Sequence, residues 1–294
     1  MPHYALVLAV LIRVLSNPAA NVFQKMLTKR QHPLFINTLS YFILACASLF
    51  LLLGQDLSSL PREYWTFSVL GGIAGALGNG FIIRALETGD LSVLGPINAW
   101  KSIVGMVIAF ILIGELPNAW GFAGVALIIL GSYFVLDTGP ERFHWSVLKQ
   151  PAIRYRLLAL LLTGTQAVFD KRIIQASDQR MAFVSWCVFG FLFSAVFLSF
   201  RKVKIKEEIA KIDGPSLMKY LALAACVGIM TLSTNYCFAN MAVGEALALF
   251  QLSILVSVFF GWHFFQERDL WKKLLGAMIM IGGSLLIILL KGDG

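Results

Sequence analysis

Residues 4–27 read YALVLAVLIRVLSNPAANVFQKML, an apolar run long enough to cross a lipid bilayer as a single helix. Nine more runs of this kind follow between polar breaks, and each is apolar nearly all round, as lipid-facing helices are. The sequence therefore predicts an all-α integral membrane protein with ten transmembrane helices, numbered here as spans 1 to 10. The spans cover residues 4–27, 33–53, 65–86, 91–113, 120–137, 154–175, 181–200, 217–241, 245–265 and 271–290.

The composition excludes most other classes of protein. Of the 294 residues, 58% are hydrophobic and 14% are charged, whereas soluble domains average roughly 45–50% and about 25%. Ten spans of about 20 residues leave no room for a soluble catalytic domain. The formal charge of +8 comes mostly from Lys and Arg residues between the apolar runs, which is typical of topology signals and not of a nucleic-acid-binding face.

Motifs for catalysis and for metal or cofactor binding are absent from the sequence. The chain has no HExxH, GxSxG, GxxxxGKS/T or CxxC pattern. We therefore expect a protein that is not an enzyme and that has no metal or cofactor. Because the chain has no nucleotide-binding loop, the energy for any transport has to come from a gradient, an exchanged solute or downhill flow.

Two sets of motifs recur between the halves of the chain. The tetrapeptide VFQK at residues 22–25 recurs as VFDK at residues 168–171, an offset of 146 residues. A glutamate and two glycines recur at an offset of 152 residues, with Glu115, Gly124 and Gly131 matching Glu267, Gly276 and Gly283. The chain is therefore predicted to consist of two five-helix repeats, residues 1–145 and 146–294. Because five is odd, the repeats have inverted topology, and the substrate sites of such proteins lie near the bilayer midplane between the repeats.

Further motifs extend each repeat. A glycine-rich span 3 ends in Arg84-Ala85-Leu86-Glu87, span 4 contains Pro96, and Ile113-Gly114-Glu115 closes that span. The second half keeps Gln266-Glu267 and both glycines but lacks the proline, having Phe250-Gln251 nearby. With these motifs the chain resembles, over almost its whole length, the EamA branch of the drug/metabolite transporter superfamily. The resemblance implies secondary transport and leaves the substrate open, since members carry amino acids, metabolites, nucleotide sugars or drugs.

Span 1 carries a polar stripe on an otherwise apolar helix. Four polar residues fall at i, i+4, i+8 and i+11 and share one helical face: Arg13, Asn17, Asn21 and Gln24. Pro18 is predicted to interrupt the helix beside this stripe and to free a backbone carbonyl near residue 14. Strongly polar groups inside a bilayer cost several kcal/mol, so these residues are candidates for substrate binding.

Span 6 repeats part of this stripe, with Thr163, Gln166 and Asp170 at i, i+3 and i+7. Spans 1 and 6 are related by the repeat, so both stripes are predicted to face one cavity with similar chemistry. Arg13 and Asp170 either contact the substrate there or pair with each other, because a buried charge needs a partner or water.

Span 4 contributes Asn98, Trp100 and Lys101 just after Pro96. Asn98 and Lys101 share a face at i, i+3, and Trp100 can stack on a planar or cationic ligand. From mid-span, the Lys101 side chain would have to cross about ten residues, roughly 15 Å of helix, to reach the interface. We therefore expect Lys101 to face polar protein or water, where it either neutralises an anionic substrate group or acts as a proton-titrating switch.

Three further amides complete the candidate substrate-binding set: Asn79 in span 3, Asn235 in span 8 and Gln251 in span 9. The alternative for all such amides is structural, since polar side chains hold helices together in bilayers for about 0.6–2 kcal/mol each.

Charged residues near the span ends fit structural roles. Lys25 and Lys171 occupy equivalent positions in the two repeats. Both are interpreted as side chains that anchor a helix end at the membrane interface. Glu115 and Glu267 are expected to cap or pair at helix ends rather than to meet substrate. The repeated glycines are expected to allow close packing of helices.

The sequence favours a secondary active transporter or exchanger for a small polar or amphipathic organic metabolite, working by alternating access. Two cationic residues, Arg13 and Lys101, outnumber the one acidic residue, Asp170. This excess of positive charge favours a substrate with a carboxylate or phosphate group. A coupling proton or a counter-transported solute is a candidate partner, and a monomer is possible because one chain holds both repeats. Three alternatives stay open: drug or cation efflux on the same scaffold, a non-transporting membrane sensor or scaffold, and a membrane protein that processes lipids.

The expected location is a plasma membrane, such as the inner membrane of a bacterium, with the chain in multiple passes. Seventeen Lys and Arg residues fall on the side of the loop that follows span 1, against five on the other side, which places both termini outside. The EamA resemblance implies cytoplasmic termini, so the orientation stays open.

Overall fold

A computed structural model describes residues 3–101, 103–104, 119–136, 149–241 and 243–289. These residues form helices joined by turns and short loops, with no β-strand in the described ranges. The helices are α1 (His3–Leu27), α2 (Pro33–Ser48), α3 (Arg62–Thr88), α4 (Leu91–Leu94), α5 (Ala119–Leu136), α6 (Pro151–Ala176), α7 (Gln179–Phe200), α8 (Ile205–Ala210), α9 (Gly214–Asn240), α10 (Val243–Phe250), α11 (Ser253–Phe265) and α12 (Leu270–Leu289). Short 3₁₀ turns cover Leu49–Leu52, Leu57–Ser59 and Pro96–Ala99.

Five helical segments in the described ranges are long and apolar enough to cross a membrane. They are Tyr4–Leu27, Pro33–Leu52, Arg62–Thr88, Gln179–Phe200 and Gly214–Asn240. Ala119–Val135 and Ser253–Phe265 are apolar but shorter. The predicted all-helical class is therefore confirmed over the described residues, whereas the number of ten spans stays a prediction.

Two predicted spans are not continuous α-helices. In span 4, the 3₁₀ turn Pro96–Ala99 follows α4, because Pro96 has no backbone N–H to continue the α-helical hydrogen bonds. Span 9 is broken between α10 and α11, where the backbone N–H of Ile254 bonds to the carbonyl of Gln251 at 2.9 Å. Residues 105–118, which cover the end of span 4 and the loop with Glu115, lie outside the described residues.

Helix α1 runs from His3 to Leu27 and continues through Pro18. The predicted interruption at Pro18 is therefore wrong at the level of secondary structure. The helix carries the predicted polar stripe across its whole middle section without a break, so the stripe keeps the regular helical spacing on which its common face depends.

Polar side chains fix where several helices begin. The side chains of His32, Asp178 and Asp213 accept hydrogen bonds from the backbone N–H groups of Leu34, Met181 and Ser216, at 3.2, 2.8 and 2.8 Å. Each bond satisfies a donor that has no partner within the helix itself. These caps set the starts of α2, α7 and α9, three of the long apolar helices.

The main helix contacts of one half have counterparts in the other. α3 packs along α6, and α9 packs along α1. Both contacts join the third span of one half to the first span of the other half, so they are equivalent in the repeat. Other contacts join equivalent helices, namely α2 with α7, α4 with α11 and α5 with α12. The space enclosed by α1, α3, α6 and α9 therefore lies between the halves, and residues from all four helices line it.

The helices α5 and α12 approach each other until their backbones touch. A Cβ atom on Gly276 would lie 2.6 Å from the carbonyl oxygen of Gly131, and one on Gly283 would lie 2.6 Å from that of Gly124. These are the glycines that recur between the halves of the sequence. Their predicted role in close helix packing is confirmed.

Candidate functional site

A cavity of about 120 Å³ lies between the two halves of the chain. Its wall combines α1, α3 and the segment around Pro96–Ala99 from the first half with α6, α7, α9 and α10 from the second. Nine of the twelve predicted substrate-binding residues line it: Arg13, Asn17, Asn21, Asn79, Asn98, Lys101, Gln166, Asp170 and Asn235. The fold thus gathers polar groups from both halves of the chain at one place.

Helix α6 supplies one wall of the cavity from a single face. Arg156, Thr163 and Asp170 follow one another at seven-residue intervals, and Gln166 lies between the last two. Seven residues are close to two helical turns, so these side chains point in similar directions. The polar stripe predicted on span 6 therefore lines the cavity and extends one charged residue further than the sequence indicated.

Arg13 is held in place by contacts with the second half. Its Nε donates to Thr234 Oγ1 at 2.8 Å, and its guanidinium carbon lies 4.8 Å from the centre of the Phe250 ring. Its Nη1 is buried and has no hydrogen-bond partner among the described residues. The hydroxyl and the ring orient this side chain without cancelling its positive charge.

Arg156 is a cavity residue that the sequence analysis missed, because it was counted among the charges of a loop. It lies in the second turn of α6 and is only 3% exposed. Its Nε donates to the backbone carbonyl of Leu94 at 3.0 Å, just before the break in span 4. Its seven-residue spacing from Thr163 was the signal that would have placed it on the polar face of span 6.

Lys101 and Asp170 are the remaining charged residues of the cavity wall. Within the described part of the chain, Lys101 Nζ makes no hydrogen bond or ion pair. Asp170 accepts a hydrogen bond from Gln166 Nε2 at 3.3 Å. No ion pair joins Arg13 to Asp170 in the described residues, so the predicted alternative in which they neutralise each other is not found.

Gln24 lines a smaller cavity, of about 40 Å³, that adjoins the first. Asn17, Asn21 and Asn79 line both cavities, so the polar stripe of α1 runs along both. Asn79 Nδ2 donates to Tyr41 Oη at 2.6 Å, whereas Gln24 Oε1 is buried without a partner in the described ranges. The polar path between the halves therefore extends beyond the main cavity towards the C-terminal end of α1.

Trp100 and Gln251 lie outside the walls of both cavities. Trp100 packs against the apolar core formed around α4 and α11. Gln251 is 4% exposed and lies in the turn between α10 and α11. The prediction that these two side chains face the same cavity as the others is therefore wrong.

Aromatic residues that the sequence analysis did not single out also line the cavity, namely Trp186, Phe238 and Phe250. They provide apolar contact area beside the charged groups. With 23 phenylalanines in the chain, sequence gives no signal that separates these rings from those that face lipid.

A second buried polar cluster joins the halves at the C-terminal end of α1, and we name it the Glu267 network: Lys25, Ser92, Glu267 and Lys273. Lys25 Nζ lies 2.8 Å from Glu267 Oε1 and 4.6 Å from the centre of the Phe265 ring. The Lys25 side chain is 14% exposed, so its interpretation as an interface anchor is wrong. Its repeat counterpart, Lys171, donates to the carbonyl of Phe238.

Glu267 also caps the N-terminus of α4. Its two carboxylate oxygens accept the backbone N–H groups of Leu91 and Ser92, each at 2.8 Å, which confirms the predicted capping role. Ser92 Oγ in turn accepts from Lys273 Nζ at 2.7 Å. Lys273 is 1% exposed, so the prediction that it is a loop charge on one face of the membrane is wrong.

The ion pair with Lys25 keeps Glu267 ionised. Burial raises the pKa of its carboxyl group, but the charge of Lys25 and the hydrogen bonds from Lys25 and Ser92 outweigh burial, so the pKa lies below its ordinary value. The carboxylate therefore ties α1 and α4 of the first half to the α11–α12 loop of the second.

Long apolar helices around a buried polar cavity are typical of an integral membrane protein. The sequence pattern of the EamA-like transporter family matches residues 5–137 and 150–289. The chain belongs to the EamA-like transporter family, and the predicted resemblance is confirmed. This is a family of membrane transporters within the drug/metabolite transporter superfamily, and not a family of enzymes.

The fold is similar to that of a solved crystal structure of another protein, with a TM-score of 0.65 over 96% of this chain and 96% of that one. The two sequences are 15% identical, so the similarity shows the fold alone. No curated protein matches the chain. In the described ranges, no group of His, Cys, Asp and Glu side chains is arranged to hold a metal ion.

Proposed function

We propose that the protein is a secondary active transporter or exchanger that moves a small polar or amphipathic organic metabolite by alternating access. The observation that carries the proposal is the cavity between the halves, which gathers charged and amide side chains in a bundle of apolar helices. Such groups are costly inside a bilayer unless they face water or a bound solute. Residues 1–145 and 146–294 act as two inverted five-span repeats, with the solute bound between them near the bilayer midplane.

The size and the wall of the cavity suit a small solute. A water molecule needs about 10–15 Å³ of cavity volume, so about 120 Å³ holds several waters or one small metabolite. Amides supply both donors and acceptors, and the three aromatic side chains supply apolar contact. This mixture favours a solute with polar groups on a small carbon skeleton.

Alternating access requires the cavity to close on one side at a time, and the Glu267 network supplies one closed side. It joins α1 and α4 of the first half to the second half at the C-terminal end of α1. When the cavity opens towards this end, α1 and α4 move away from the second half, and the ion pair between Lys25 and Glu267 breaks.

Filling the cavity is expected to stop transport. Ala159 lines the cavity on α6, whereas the adjacent Leu158 is 43% exposed on the outer surface of the same helix. We expect Ala159→Phe to reduce flux to a small fraction of the wild-type value, because its ring occupies the solute volume. Leu158→Phe is the matched control and keeps wild-type flux.

The measurement is counterflow of labelled amino acids, carboxylates, phosphorylated metabolites, nucleosides and lipophilic cations in vesicles containing the purified protein. Melting temperatures of both variants show that they are folded. Flux by Ala159→Phe equal to that by Leu158→Phe would place the pathway elsewhere. Flux of no solute above that of protein-free vesicles would contradict the transporter itself.

Asp170 is our candidate for the coupling proton, because it is the single carboxylate among the described lining residues and its hydrogen bond comes from a neutral amide. We expect Asp170→Asn to lose accumulation driven by an imposed pH gradient while keeping exchange between equal solute pools. Glu87→Gln, on the outer part of α3, serves as the control and keeps both activities. Gradient-driven accumulation by Asp170→Asn would assign coupling to another group or to a counter-transported solute.

A further inference from the structure

We propose that the transported solute is a small organic anion whose carboxylate or phosphate group binds to Arg13, Lys101 and Arg156. This inference rests on the transport function proposed above and adds the chemical class of the solute. It depends on Arg156, which the fold brings to the cavity and which raises the formal excess of positive charge among the described lining residues from one to two.

The described wall of the cavity carries more positive than negative side chains. Among its described residues three are cationic, and Asp170 is the one that is acidic. The remaining polar groups are amides and hydroxyls, which carry no net charge. A cavity that is empty or holds a neutral solute therefore keeps an excess of positive charge in surroundings of low dielectric constant, which is unfavourable. An anion removes that excess, whereas a cation adds to it.

The two arginines still have donors to offer. Each uses its Nε on a neutral acceptor, Thr234 Oγ1 for Arg13 and the carbonyl of Leu94 for Arg156. Arg13 Nη1 is buried with no partner among the described residues, which is a costly state for a charged donor. A guanidinium edge presents paired N–H groups whose spacing matches two oxygens of a carboxylate or phosphate.

Lys101 lines the same cavity as Arg13 and Arg156. Three like charges gathered in this way repel one another unless a counter-charge lies among them. On α6, by contrast, Arg156 and Asp170 are fourteen positions apart, about 21 Å along the helix axis. Asp170 is therefore too distant to supply the counter-charge of Arg156, whereas a bound anion can supply it.

The cations come from both halves of the protein. Arg13 and Lys101 belong to the first half and Arg156 to the second. An anion bound to all three bridges the halves and offsets the repulsion that opposes their approach. Binding of the solute then favours the closed cavity, which links solute recognition to the conformational change of transport.

The test compares solutes of similar size and different charge. Apparent melting temperatures of the purified full-length protein in detergent are measured with the anions succinate, glycerol 3-phosphate and inorganic phosphate. Succinamide and glycerol are the neutral counterparts, and putrescine is the cation. We expect at least one of the two organic anions to raise the melting temperature through binding to the folded state, and the neutral compounds and putrescine to leave it unchanged.

Three lysine variants assign the response to the cavity. Lys101→Gln is expected to lose the stabilisation by anions, and Lys101→Arg, which keeps the charge, is expected to retain it. Lys204→Gln is the matched control, since the Lys204 side chain is 75% exposed in the linker before α8. Arg156→Gln is a second neutralising variant and gives the same test if Lys101→Gln does not fold.

The outcomes separate the class of solute from the transport function. Stabilisation by inorganic phosphate alone, by neutral compounds or putrescine alone, or by nothing in the panel overturns the organic-anion class. So does a response that survives both neutralising variants. Anion binding without flux in vesicles supports the anion site and contradicts the transporter. Flux of neutral or cationic solutes without any effect of anions supports the transporter and contradicts the anion class.

Discussion

Glu267→Gln is expected to lower the free energy of unfolding by about 3–5 kcal/mol, the range found when one partner of a buried ion pair is removed. The Glu267 carboxylate holds Lys25 at 2.8 Å and accepts both N–H groups at the start of α4. Glutamine has nearly the same size but no charge. The substitution therefore removes the buried counter-charge of Lys25, leaves only the exposed carboxylate of Asp90 at 4.0 Å, and weakens the cap of α4.

The measurement is unfolding of the purified protein in detergent, followed by circular dichroism. The control is Glu87→Gln at the end of α3, where the Arg84–Glu87 pair has side chains that are 44% and 28% exposed. A pair of this exposure contributes about 0–1 kcal/mol. Equal losses in the two variants would show that the Glu267 network does not hold the halves together.

Gly276→Ala is the second substitution with a large expected effect. A single methyl group at this position would lie 2.6 Å from the carbonyl oxygen of Gly131 and 2.8 Å from Val135 Cγ2, so α5 and α12 have to move apart. Overpacking of this kind costs about 1–3 kcal/mol. The carbonyl oxygen of Gly131 belongs to the backbone, so it cannot avoid the methyl group by changing a side-chain rotamer. We therefore expect the loss in the free energy of unfolding to lie towards the upper end of that range.

Gly282 provides the same substitution on the same helix without the clash. A Cβ atom there meets nothing within 4 Å. Alanine also has a higher helix propensity than glycine, by about 1 kcal/mol. Gly282→Ala is therefore expected to leave stability unchanged or to raise it, whereas Gly276→Ala lowers it. Similar melting temperatures for the two variants would contradict the close contact between α5 and α12.

The sequence predicted the helices well where composition alone decides them. Apolar runs of about 20 residues have few alternatives to a helix in a bilayer. The break after α4 has a local cause in Pro96, which was noted but not used to divide span 4. The break at Gln251 has no proline or glycine beside it in the sequence, so no local signal predicted it.

The candidate site was predictable where a charge lies deep inside an apolar run. Lys101 and Asp170 are examples, and both line the cavity. Arg156 was missed because it lies only two turns from the start of α6, where buried and interfacial arginines look alike in sequence. Lys25 and Lys273 show the same ambiguity, since burial at a helix end depends on which other chain segment covers that end.

The contact between α5 and α12 is reciprocal. Gly131 meets Gly276 and Gly124 meets Gly283, while the sequence repeat maps Gly124 onto Gly276 and Gly131 onto Gly283. The same surface is therefore present on both partners, as in the interface of a symmetric homodimer. Each half therefore offers the other the same glycine surface that it receives, so one chain contains an interface of the kind that two identical subunits form.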